Sequence, residues 1–235
     1  MPSRPVSFES LSVPVAVSPT RSAPQTWRVA LASFSILALE LALIRLAPAE
    51  VKAISYFTNL ILIASFFGLG IGCILVRGPR LAWLLPVGLL AMCGFILVAR
   101  GIIVYDETRS VHYWLQDQAA RSEAPRLPLF WTALAALVCS ALPFASMGQE
   151  LARRMDEHPR LTAYSWDIAG SLLGTIAFAA SSYLQVPPWV WPPVVGVLWA
   201  AFLSRRWLMR ASVAAAGGAF LLFSQTSHLS VWSPY

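Results

Sequence analysis

The chain has 235 residues, of which 57% are hydrophobic and only 12% are charged, and its mean hydropathy is +0.65. Soluble domains carry about 25% charged residues, so this composition excludes an ordinary soluble domain and indicates an integral membrane protein. The net charge of +6 does not predict nucleic-acid binding, because the arginines fall in short gaps between apolar runs rather than on one basic face.

Residues 1–26 are rich in proline and serine and lack the sustained apolar core of a secretory signal, which predicts a disordered N-terminal tail. Because backbone polar groups in lipid must pair internally, the rest is predicted to be an all-α, multi-pass transmembrane helical bundle over 27–225, with a C-terminal tail at 226–235. The apolar runs that predict its spans lie at about 27–46, 53–76, 81–99, 128–149, 162–184, 189–204 and 208–225.

We therefore predict about seven spans, with six as the alternative. Prolines crowd the entrance to the sixth run and arginines separate it from the short seventh, so the two could form one broken or re-entrant element. The N-terminal tail and the even-numbered gaps hold eleven arginines, against six basic residues in the other gaps. The positive-inside rule then places the N-terminus in the cytoplasm.

The extramembrane loop at 100–127 separates the third and fourth runs and contains the aromatic segment VHYWLQ at 111–116. Tryptophan and tyrosine rings are favoured at the level of the lipid headgroups, so this segment is predicted to be an interfacial helix. A loop that docks a partner protein is the alternative.

Glu40 lies about halfway along the first run, in LALELALIRLA. A carboxylate at this depth costs several kcal/mol unless it is paired or hydrated, so Glu40 is predicted to face the bundle interior. Arg45 follows five residues later, about 140° away around the helix, and is not expected to pair with Glu40 directly. The more plausible partners are the other intramembrane polar residues, Asn59, Gln149, Glu150 and Asp167. A proton or cation site and a structural interhelical hydrogen bond both remain open.

Asp167 lies near the start of the fifth run, where a helix N-terminus favours a negative charge. Capping, or pairing with an arginine of the preceding gap, explains it without catalysis. Small residues let helices approach closely in lipid, and on this ground the predicted packing residues are Gly68, Gly70 and Gly72 in FFGLGIGC and Gly170 and Gly174 in a GxxxG pattern.

Catalytic motifs such as GxSxG, HExxH, a Walker lysine motif or a Rossmann fingerprint do not occur in the sequence. No histidine is central in a run, and Cys73, Cys93 and Cys139 lack metal-ligand spacing, which predicts free thiols. We therefore expect no catalytic residue, metal or cofactor within these residues.

Three segments together resemble the N-terminal transmembrane portion of bacterial membrane-bound spermidine synthase-like proteins, which are polyamine aminopropyltransferases: ELALIRL, FFGLGIGCIL and YSWDIAGSLLGT. In that family a transmembrane bundle precedes a Rossmann-like catalytic domain whose beginning often reads SPY, as residues 233–235 do here. The resemblance implies a place in the bacterial inner (cytoplasmic) membrane. It carries over only intramembrane polar and packing positions, because the substrate-binding motifs of the catalytic domain are not present.

The favoured hypothesis is a non-catalytic scaffold or accessory subunit of a larger membrane complex, such as a photosynthetic or respiratory one, in contact with lipid and other membrane protein subunits. A first alternative is a fragment of an aminopropyltransferase whose catalytic domain follows Tyr235. A second is a small proton- or cation-coupled transporter that uses Glu40 and Asp167.

Overall fold

The computed structural model of the chain describes residues 25–51, 54, 59–99, 103–105, 126–203 and 210. These residues form a helical bundle, as predicted. Its α-helices are α1 (Trp27–Glu50), α2 (Asn59–Ile74), α3 (Leu84–Ala99), α4 (Leu129–Asp156), α5 (Arg160–Tyr183) and α6 (Trp191–Leu198). Short 3₁₀ turns follow α2 at Leu75–Arg77 and precede α6 at Pro188–Val190, and a π-helical turn follows α6 at Trp199–Leu203.

Two three-residue strands, β1 (Ile103–Tyr105) and β2 (Arg126–Pro128), pair in parallel at the two ends of the predicted loop. They add a small non-helical element that the apolar pattern did not predict. The interfacial helix predicted at 111–116 lies outside the described residues. So do the tails at 1–24 and 226–235 and, apart from residue 210, the seventh run.

Among the described residues, three helical segments are long and apolar enough to cross a membrane, as expected of a membrane protein: Trp27–Glu50, Asn59–Arg77 and Leu129–Asp156. α3 is a shorter apolar helix of 16 residues. α5 has the length, at 24 residues, but is not among the described helices that are sufficiently apolar. The count of seven spans stays a prediction.

α1 is the central helix of the bundle and packs against α2, α4, α5 and α6. Apolar residues are distributed around its whole circumference, the pattern expected of a helix that is covered on every side. Its buried residues accordingly occupy successive positions rather than one stripe, as Ala38, Leu39 and Glu40 do. The core of the described bundle is therefore built around α1.

The order of contacts along the helices gives their relative directions. Gly170 lies against Ala30 and Gly174 lies against Phe34, so α5 runs parallel to α1. α2 meets α4 in the same ascending order and is parallel to it, whereas α3 meets α4 in descending order and is antiparallel. The starts of α1, α3 and α5 and the ends of α2 and α4 therefore lie at one end of the bundle.

That end, here called the arginine-rich end, carries the described arginines Arg28, Arg77, Arg80, Arg153, Arg154 and Arg160. The sequence placed the same six on one side of the membrane, and the helix directions group them in the same way. Which compartment this end faces stays a prediction of the positive-inside rule.

Turn chemistry ends α5. Gln185 adopts a left-handed φ of 58°, and the Val186 and Gln185 amides donate to the Ser181 and Ser182 carbonyls at 2.9 and 3.0 Å, a Schellman motif. Prolines follow, and the sixth run forms the 3₁₀ turn, the eight-residue α6 and the π-helical turn in direct succession. The alternative of one broken or re-entrant element made by the sixth and seventh runs stays a prediction.

Candidate functional site

The candidate site is the set of polar side chains and glycines that join the helices inside the bundle. α1 and α5 meet through Gly170 and Gly174, and side chains at either position would enter space that the backbone of Ala30 or Phe34 occupies. Their spacing of four residues places both glycines on one face of α5. The close approach lets side chains of the two helices reach each other directly.

Asp167 lies on the same face of α5 and accepts a short hydrogen bond from the Ser33 hydroxyl of α1. This corrects the expectation of a helix cap, because α5 begins at Arg160 and Asp167 is two turns further on, where backbone amides are already paired. The part of the chain that the structure describes gives Asp167 no salt bridge to an arginine of the preceding turn. Asp167 therefore joins α5 to α1.

A second polar contact joins the same two helices near the opposite end of the bundle. The Arg45 guanidinium of α1 donates to the Ser182 hydroxyl of α5 at 2.6 Å. This hydroxyl belongs to the last turn of α5. Asp167 and Arg45 together fix both the spacing and the register of α5 on α1.

Glu40 is 4% exposed and accepts a hydrogen bond of 2.6 Å from the Ser65 hydroxyl of α2. The expectation that it faces the interior agrees with this placement, but its partner is Ser65 rather than any of the four expected polar residues. Asn59 is exposed at the start of α2, and Gln149, Glu150 and Asp167 bind other groups. Glu40 therefore joins α1 to α2.

α2 and α4 meet through a second set of glycines. A Cβ at Gly72 would lie 2.6 Å from the Gln149 amide nitrogen, and one at Gly148 would lie 2.7 Å from the Leu69 carbonyl oxygen. Gly68 is similarly closed in by the backbone of α4. Gly70 differs from the prediction: nothing lies within 4 Å of its Cβ position, because two residues along a helix correspond to about 200° of rotation.

Gln149 is 2% exposed, and each of its side-chain polar atoms binds the turn between α2 and α3. Its amide group donates to the carbonyls of Leu75 and Pro79 at 2.6 and 2.8 Å, and its oxygen accepts from the Leu81 amide at 2.7 Å. One turn further along α4, Arg153 donates to the carbonyls of two further residues of this turn at 2.9 Å each. These two side chains therefore bind backbone groups of the turn that follows α2.

The sequence analysis placed Gln149 among the intramembrane polar residues but did not predict its partners. It assigned Arg153 to membrane orientation or to pairing with Asp167, not to the turn. A spacing of four residues at the end of an apolar helix is the signal for their shared face. The neighbouring Glu150 pairs instead with Arg154 within α4, at 2.5 Å. This is a half-exposed contact between neighbouring turns of one helix, and such pairs contribute little stability.

The arrangement holds helices together and, in the described residues, does not assemble reactive groups. No three side chains of the metal-ligating types are clustered there. The three cysteines are free thiols: Cys93 is buried, Cys139 is half-buried and Cys73 is exposed on α2. Glu40 and Asp167 each bind a serine from a neighbouring helix, so the two carboxylates have separate partners.

The chain matches no protein-family model, no curated protein and no solved structure.

Proposed function

We propose that this chain is a non-catalytic scaffold or accessory subunit of a larger membrane complex, and that α5 is the helix through which it contacts a partner subunit. The proposal rests on the surface of α5. Of its 24 residues only Ala163, Gly170 and Gly174 are buried. α5 thus lies at the rim of the described bundle, although it is less apolar than the three described helices that could cross a membrane.

Two stripes with the 4–3 spacing of a coiled-coil seam run along α5. The inward stripe is Ala163, Asp167, Gly170, Gly174, Ala177 and Ser181, whose buried and half-buried residues line the α1 side. The outward seam is Leu161, Ser165, Ile168, Leu172, Thr175 and Ala179, and all six residues are exposed. Each seam position lies two residues from an inward position, so the seam occupies the opposite face of the helix.

The composition of the outward seam suits a helix of another membrane protein. The outward seam combines large aliphatic residues with Ser165, Thr175 and Ala179. Small or hydroxyl residues allow a second helix to approach closely in lipid. The two hydroxyls donate to carbonyls of their own helix, at 2.9 and 3.0 Å. α5 can therefore bind a partner helix without leaving polar groups unpaired.

Leu172 and Leu173 provide a matched test, because they are 59% and 58% exposed but lie about 100° apart around the helix. The protein is purified from its native membrane in mild detergent, and associated subunits are quantified by mass spectrometry. We expect stoichiometric partners with the wild type and with Leu173→Trp, and their loss with Leu172→Trp. A wild-type protein recovered as a monodisperse monomer contradicts the proposal, as does equal partner recovery from both variants.

The transporter alternative is tested with Glu40→Gln and Asp167→Asn in proteoliposomes. Both variants keep an oxygen that accepts the serine hydrogen bond, so the scaffold proposal expects the bundle to persist. Proton or cation uptake by the wild type that both variants abolish would instead favour transport. The aminopropyltransferase alternative concerns the reading frame after Tyr235, and sequencing that region decides it.

A further inference from the structure

The turn between α2 and α3, residues 75–83, is held in a fixed position at the arginine-rich end. The side chains of Gln149 and Arg153 form five hydrogen bonds with the backbone of this turn. A turn fixed in this way presents its own side chains at a defined spacing. Two of them, Arg77 and Arg80, are exposed.

The charges of Arg77 and Arg80 are not neutralised within the described part of the chain. Neither guanidinium has a salt bridge or a hydrogen bond there, and residues 59–99 contain no aspartate or glutamate. Arg153, by contrast, binds the turn and Arg154 binds Glu150. Arg77 and Arg80 thus differ from Arg153 and Arg154 in keeping their donors free for a ligand.

Apolar side chains flank the pair on both sides. Ile74, at the end of α2, is 82% exposed, and Trp83, just before α3, is 57% exposed. In a membrane protein, two unpaired cations at a helix end beside outward apolar groups match the chemistry of a phospholipid, whose phosphate lies directly above its acyl chains.

We propose that Arg77 and Arg80 bind the phosphate of an anionic phospholipid, with Ile74 and Trp83 against its acyl chains. The flanking apolar groups favour a lipid over a free phosphate, which would gain nothing from them. Arg160, at the next turn of the same end, follows the exposed acids Asp156 and Glu157 and is not part of the site. The proposal is independent of the partner helix at α5.

The test counts lipids bound to the purified full chain by native mass spectrometry during titration with phosphatidylglycerol or phosphatidylcholine. The double variant Arg77→Gln/Arg80→Gln should bind phosphatidylglycerol about 10- to 30-fold more weakly, since each basic residue near the membrane surface contributes roughly a factor of five. The control Arg160→Gln, which also removes one exposed arginine from this end, should bind like the wild type. Phosphatidylcholine binding should not change in either variant.

Equal affinity of the wild type for the two lipids overturns the proposal, and this measurement needs no variant to fold. Equal loss of binding in Arg160→Gln also overturns it, because the effect is then one of total charge. Inorganic phosphate is added as a competitor. Persistence of the bound lipid is the expected result, and its complete displacement at equal concentration would assign the site to free phosphate instead.

Discussion

The contact of α2 with α4 and the contact of α1 with α5 use the same device and differ in what reinforces it. Both pairs are parallel, and both approach through glycines spaced four residues apart. The α2–α4 contact is reinforced by five hydrogen bonds to the backbone of one turn. The α1–α5 contact is reinforced by single bonds between side chains, at Asp167 and at Arg45.

α4 and α5 also differ in how much of their surface is buried. Every residue of α4 from 140 to 149 is buried or half-buried, whereas α5 buries three small residues and exposes its large ones. Small residues therefore bring the helices together at both contacts. The α2–α4 contact is held in addition by side chains that form hydrogen bonds with backbone groups. The comparison indicates that α4 is enclosed in the interior beside the central α1, while α5 is attached along one narrow face.

The comparison is tested most severely by adding bulk to the α2–α4 contact with Gly72→Leu. The new side chain would have to displace the backbone of α4, so we expect a loss of about 3 kcal/mol or more, or failure to fold. Thermal unfolding of the detergent-purified protein measures the effect. Gly70→Leu is the control, because its added side chain points into open space; equal destabilisation by both would refute the packing role.

Removing the reinforcement of that contact should have the next largest effect. Gln149→Leu leaves the Pro79 carbonyl and the Leu81 amide of the α2–α3 turn without their partner, whereas the Leu75 carbonyl keeps the hydrogen bond from the Gly78 amide. We expect a loss of about 2–3 kcal/mol, because buried polar groups that lose their partners retain their desolvation cost. The midpoint of thermal unfolding should fall, and proteolysis within residues 75–83 should become faster. An unchanged cleavage rate would contradict the account of the turn.

The α1–α5 contact should respond more weakly to loss of its side-chain bond. Asp167→Ala removes the acceptor of the Ser33 hydroxyl and is expected to cost about 1 kcal/mol, since interhelical hydrogen bonds in membranes average below that value and reach about 1.7. Asp167→Asn retains an oxygen acceptor and should cost less. Urea or thermal unfolding in detergent ranks the variants, and an equal loss with asparagine, which keeps the acceptor but not the charge, would show that the negative charge itself is required.

The smallest effect is expected outside both contacts, at Glu150. Its pair with Arg154 lies within one helix, and the Glu150 side chain is 32% exposed. Glu150→Gln should therefore change stability by about 0.5 kcal/mol or less. The variant also serves as the neighbouring control for Gln149→Leu, and a comparable loss at the two positions would remove the distinction between them.

The sequence predicted the parts of this bundle that depend on local pattern. Long apolar runs whose backbone groups must pair internally predict helices. α1, α3 and α5 begin and end within about four residues of the predicted runs, whereas α2 begins later and α4 ends about two turns later than predicted. Glycines four residues apart predict a packing face, as Gly170 and Gly174 provide.

Partners between helices were not predictable in the same way. Glu40 was matched with residues that are obviously polar, whereas its hydrogen bond comes from Ser65, whose single hydroxyl proton also has the Leu62 carbonyl of its own helix within reach, at 2.8 Å. Which residue faces Glu40 depends on the depth and rotation of α2 against α1. The depth and the rotation of one helix against another cannot be read from local sequence patterns. The partners of Gln149 were not predicted for the same reason.

The bond between Gln149 and the α2–α3 turn joins residues about 70 positions apart in the chain, which has a consequence for biogenesis. When α2 and α3 leave the ribosome, the groups that will satisfy their connecting turn have not yet been synthesised. The turn must keep its carbonyls in contact with water or headgroups until α4 arrives. Closure of this end of the protein is thus a late event in membrane insertion, and it waits for α4.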